Sequence, residues 1–93
     1  MSFLKKIKGE EKLRLRTQSL GTKNMIGARI EQKRKELGMK QKELLARLQI
    51  NGIELNSSGL SKLEGQLRSV SDFELVAIAK ALDVSIDWLL GLE

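Results

Sequence analysis

The 93-residue chain contains no cysteine, histidine, tyrosine or proline. Without cysteine there is no disulfide, no thiolate nucleophile and no thiolate zinc site. Without histidine there is no imidazole for acid–base work or metal ligation. An enzyme would have only Ser, Lys, Arg and carboxylates to work with, so the composition predicts a binding module: no catalysis, no metal, no cofactor. Aromatic residues are scarce too, Phe3, Phe73 and Trp88 being the whole set. No apolar run reaches 18 residues, so no membrane span is expected. Residues 1–8 carry charge without the long apolar stretch of a cleavable signal. The lack of cysteine fits a cytoplasmic protein.

What is present is a globular composition, 41% hydrophobic and 31% charged. A chain of this length supports one core that buries roughly 60–65% of the unfolded surface. The net charge of +5 is unevenly spread. Residues 1–23 hold seven bases against two acids and residues 24–51 seven against three, whereas residues 52–93 hold three against seven. A basic end and an acidic end suit a polyanion bound on one side. An ordinary solvated surface has similar counts, so charge alone does not decide.

Residues 1–24 read as a basic flexible arm and residues 25–93 as the domain. In the arm, Phe3, Leu4 and Ile7 share a helical face, but Gly9 interrupts it and residues 13–16 alternate with a strand's period. Met25 can itself serve as a start, so residues 1–24 read as either a native arm or an added leader.

From Met25 onward the apolar period is helical. A first helix is expected over residues 25–37, with Ile26, Ile30 and Leu37 inward, the stem of Lys33 beside them, and Gly38 as the stop. A second starts near Gln41, with Leu44, Leu45 and Leu48 inward, and ends by Gly52. Asn56 is an N-cap for a third helix reaching Glu64, with Leu60 and Leu63 inward. Ser71 and Glu74 form a capping box opening a fourth, whose Leu75, Ile78, Ala79 and Leu82 share one face. Ser85 caps a fifth, over residues 86–90, with Asp87 in its first turn. Trp88 either fills the core or meets a second copy. The result is an all-α, compact five-helix domain.

The second and third helices carry the functional signal. A short helix, a turn, and a second short helix with small polar residues on its outer face is a helix-turn-helix. Its second helix lies in the major groove with its N-terminal end toward the bases.

Residues 25–91 resemble the phage-repressor (Cro/XRE-type) helix-turn-helix family of DNA-binding transcription regulators, a lambda-repressor-like fold. The resemblance rests on an ordered series: Arg34; Leu37-Gly38-Met39-Lys40-Gln41; Leu44; Leu60-Ser61-Lys62-Leu63-Glu64-Gly65; Ile78-Ala79-Lys80-Ala81-Leu82; and Ser85-Ile86-Asp87-Trp88-Leu89-Leu90-Gly91. It implies sequence-specific binding of double-stranded DNA, most simply as a repressor. It also implies a homodimer on a two-fold-symmetric site with half-sites about 34 Å apart. It implies an inward ion pair between Arg34 and Glu64, and a phosphate contact by Gln41. Ser57, Ser58, Ser61 and Lys62 would read base edges, while Lys40, Lys42, Asn56 and Arg68 would contact the backbone.

The chain departs from the family between Gln41 and Glu64, which are about five residues further apart than usual. The extra residues fall within 49–55, and Ile53 and Leu55 are expected to pack inward on alternate positions. Leu45 stands where a small residue is typical. Gly59, inside the third helix, costs about 1 kcal/mol relative to Ala, so either something approaches closely there or the helix is weak. An alternative keeps the fold but makes the main partner a protein, as in an antitoxin or adaptor. A third reading, polyanion or membrane-surface binding through the arm, predicts that binding vanishes without residues 1–23.

Overall fold

Three helices open on the side chains that the sequence marks as caps. The computed structural model describes residues 19–93, which form α1 (Gly27–Glu36), α2 (Gln41–Ile50), α3 (Ser57–Glu64), α4 (Asp72–Leu82) and α5 (Ile86–Leu89). The side-chain oxygen of Asn56 accepts from the Gly59 amide at 2.7 Å. Ser71 accepts from the Glu74 amide at 3.1 Å, while the Glu74 carboxylate accepts from the Ser71 amide at 3.0 Å. Ser85 accepts from the Trp88 amide at 2.9 Å. Each cap satisfies an amide that the helix itself leaves unpaired and contributes about 1 kcal/mol. Among the described residues there is no strand, and the fold is all-α with five helices.

The apolar faces converge as the helical period requires. Ile30 of α1, Leu44 and Leu48 of α2, Leu60 and Leu63 of α3, Ile78 and Leu82 of α4, and Leu89 of α5 are all fully buried. α1 and α2 each pack on both α3 and α4, and α5 closes against α4. α3 is thus gripped on two sides, leaving one face outward.

Two expectations need correction. The first helix begins at Gly27, and Met25 is exposed. Leu37, expected inward, is 50% exposed. It lies past the last turn of α1, where the Met39 amide bonds back to the Arg34 carbonyl, and Met39 takes the buried place instead. On the amino-terminal side, contacts with the helices extend beyond Met25. Residues 1–18 of the expected arm lie outside the described residues, but the amides of Gly21 and Lys23 donate to the carbonyls of Gly65 and Gln66. Asn24 joins both sides. Its side-chain oxygen accepts from the Ile26 and Gly27 amides, and its Nδ2 donates to the carbonyls of Leu63 and Arg68.

The start of α1 meets the end of α3 backbone to backbone. A Cβ at Gly27 would collide with the Leu63 carbonyl oxygen and lie 2.7 Å from that of Glu64, so only glycine fits. Just beyond, Gln66 takes a left-handed conformation, φ 61°. Its side chain is held from both ends, donating to the Gly21 carbonyl and accepting from the Ala28 amide. Trp88 is half-buried against the core, with the Arg29 guanidinium 4.2 Å and the Lys33 ammonium 5.1 Å from its ring centroid. Arg29 Nε also donates to the Trp88 carbonyl at 2.6 Å.

Candidate nucleic-acid interface

α3 has two chemically distinct faces. Leu60, Leu63 and Glu64 point inward, and Ser57, Ser58, Ser61 and Lys62 are exposed. A glutamate among leucines demands an explanation, since an unpaired buried carboxylate is strongly destabilising. Arg34, from the last turn of α1, supplies it. Its Nε donates to Glu64 Oε2 at 2.7 Å and its Nη2 to Oε1 at 3.1 Å, a two-pronged contact. Its Nη1 donates to the Met39 carbonyl at 2.9 Å. Arg34 is 8% exposed and Glu64 1%.

The first residue of α2 joins this pair. Gln41 Nε2 donates to Glu64 Oε1 at 3.0 Å and lies 3.4 Å from Ser61 Oγ. The start of α2 is thereby tied to the middle and end of α3, and Ser61 is linked through Gln41 and Glu64 to Arg34. Arg34, Gln41, Ser61 and Glu64 come together in one network, while Ser57, Ser58 and Lys62 lie free on the outer face.

Ion pairing distinguishes several surface cations from those around α3. Lys33 pairs with Glu36 at 3.2 Å, Lys35 with Glu31 at 3.1 Å, and Arg68 with Glu74 at 3.0 Å. Lys40 and Lys42 at the start of α2 and Lys62 on α3 are exposed and have no ion-pair partner among the described residues. Arg68, expected at a phosphate, pairs through Nη2 with Glu74 on α4, while its Nη1 has no hydrogen-bond partner. Burial pushes the Glu74 carboxyl up, but the Ser71 backbone and the Arg68 guanidinium outweigh it, so the net shift is downward. On the surface of α1, Gln32 and Lys33 likewise hold the Glu36 carboxyl below its usual value against the opposing effect of burial.

The longer connection before α3 is ordered by alternation. Ile53 and Leu55 pack against the core and Glu54, between them, is exposed. Leu55 also lies on α3 at Gly59, where an added Cβ would be 3.0 Å from Leu55 Cδ1 and 3.2 Å from Asn56 Oδ1. Of the two readings of Gly59, close approach is the one observed. Beside this connection runs an open groove of about 540 Å³, lined by Lys42, Leu45, Ala46, Gln49, Glu54, Leu55 and Asn56.

Sequence reasoning missed Asn24, Gly27, Arg29 and Gln66. Asn24 carried a usable signal, an Asn just before a helical run. The others carried none, because their partners lie across the fold.

A family model for the helix-turn-helix domain matches residues 30–89, well over half of the chain. The chain belongs to that family, the Cro/C1-type (XRE) helix-turn-helix proteins, and is in general terms a DNA-binding transcription regulator. No curated protein and no solved structure gave a significant match. Among the described residues, no group of three or more His, Cys, Asp or Glu could hold a metal ion. None of the described helices is long and apolar enough to cross a membrane.

Proposed function

We propose that the protein is a cytoplasmic repressor that binds a two-fold-symmetric site in double-stranded DNA as a homodimer and occludes a promoter. Ser57, Ser58, Ser61 and Lys62 read base edges in the major groove. Gln41, Lys40, Lys42 and Asn56 hold the phosphate backbone. The observation that carries this reading is the outer face of α3. It is polar, exposed and bordered by unpaired lysines, while its inner face is locked by the Arg34–Glu64 pair.

Gln41, whose Nε2 is engaged by Glu64 and Ser61, offers its backbone amide to a phosphate. Asn56 uses Oδ1 for its cap and keeps both Nδ2 hydrogens for a phosphate. In the first turn of α2 the Glu43 amide donates to the Lys40 carbonyl, which leaves the Gln41 and Lys42 amides for a phosphate. Serine hydroxyls donate or accept and so discriminate bases weakly. That leaves Lys62, which suits guanine, as the stronger reader. Arg68, joined to Glu74 through Nη2, is the remaining backbone contact of this reading.

Selection from a random duplex library at moderate salt tests the reading. A two-fold-symmetric enriched site, retained without residues 1–18, is expected. Binding without enrichment would reduce the interface to phosphate attraction. A second reading, a protein partner, is favoured by one observation: Phe73, 81% exposed, lines a groove with Ile53, Val76 and Ala77, and Ile50 is 84% exposed. It predicts weak DNA binding alone and a tight protein complex.

A further inference from the structure

Resting on the DNA-reading function proposed above, we infer that Glu54 is a specificity-determining residue that accepts a hydrogen bond from an exocyclic amino group, cytosine N4, at the edge of each half-site. Three observations converge on it. Glu54 stands two residues before Asn56, the cap of α3, at the helix end that faces the bases in this mode of docking. The inward anchoring of Ile53 and Leu55 on either side fixes its outward direction, and Leu55 is seated on α3 at Gly59. Its carboxylate has no ion-pair or hydrogen-bond partner among the described residues, although it shares a groove with Lys42 and Asn56.

An unpartnered carboxylate on a surface that receives a polyanion is repelled by every phosphate near it and gains nothing from the backbone. The donors it can meet in the major groove are base amino groups, and a glutamate suits the N4 of cytosine. Directed outward by the anchored Ile53 and Leu55 and lining the groove with Lys42, the carboxylate favours one base and penalises a pair presenting only acceptors there. The extra residues between α2 and α3 thus lengthen the reading surface by one side chain, in a segment that would otherwise be a passive linker.

The test repeats the library selection with the full chain and with Glu54→Ala and Glu54→Gln. Glu54 makes no contact that holds the fold, so both variants should unfold with the wild-type protein. The wild type should favour cytosine at one outer position of each half-site by about fivefold or more. Glu54→Ala should lose that preference and keep the remaining site, and Glu54→Gln should shift it toward adenine. An unchanged preference at every position in both variants overturns the inference, as does a uniform rise in affinity for all duplexes, which would make Glu54 a repulsive charge only. If the wild-type protein enriches no site, the DNA-reading function itself falls and the inference with it.

Discussion

Arg34 and Glu64 meet through two hydrogen bonds, 2.7 and 3.1 Å long, where the last turn of α1 crosses the last residue of α3. Apolar packing alone would hold α3 in place but would set its rotation weakly, since leucines slide. A two-pronged charged contact has one geometry. With Gln41 added at 3.0 Å, three helices share a single carboxylate. The outward direction of Ser58 and Lys62 follows from that lock.

Removing Glu64 should therefore cost far more than a surface change. Glu64→Ala leaves the Arg34 guanidinium buried without its partner, and a loss of about 3–5 kcal/mol is expected. Urea unfolding checks it. The paired replacement Arg34→Met with Glu64→Leu should recover most of the loss. If Glu64→Ala unfolded at the wild-type midpoint, the pair would contribute nothing.

Gly27→Ala is expected to destabilise the domain by about 1–3 kcal/mol or more, because the new methyl meets backbone carbonyls of α3 that have no room to move. Helix propensity alone argues the opposite, favouring Ala by about 1 kcal/mol. A melting temperature at or above wild type would show that α1 and α3 can separate at that point.

Acid should weaken the fold partly through Glu74. Its carboxyl is held below the ordinary value of 4.5 in the folded protein. The unfolded chain therefore binds that proton more readily. The stabilisation is present above the unfolded value and is lost as pH falls through the folded one. Stability against urea should decline below about pH 4.5, and Glu74→Gln should make that decline shallower. An identical acid limb in the variant would exclude Glu74 as a contributor.

Lys42 and Lys62 should separate by salt. Lys42→Ala is expected to weaken binding on all duplexes alike and reduce the slope of log K against log salt by about one unit. Lys62→Ala should instead erode discrimination at one base position. If both behaved like Lys42, α3 would be reading shape and charge without its lysine.

Much of the fold was legible because its signals are local. The caps at Asn56, Ser71 and Ser85 act within one helical turn, and the alternation at Ile53 and Leu55 was visible in three letters. Leu37 misled because the apolar period continues in sequence one step past the point where the backbone turns, and Met39 takes its place. The Arg34–Glu64 contact spans 30 positions, and only the family resemblance pointed to it. Gly27 and Gln66 could not be read at all, since neither a glycine nor a glutamine announces the carbonyl or amide it will face across the fold. Of the surface, the unpaired state of Lys40, Lys42 and Lys62 became visible only once Lys33, Lys35 and Arg68 had found their carboxylates.

The most direct test of the central claim, that the outer face of α3 reads DNA, is an amide-by-amide NMR titration with the selected duplex. Shifts should concentrate on α3 from Ser57 to Lys62 and on the start of α2 around Gln41, with α5 and the Phe73 side of α4 little changed. Shifts centred instead on Ile50, Ile53 and Phe73, or spread evenly over every basic surface, would contradict it.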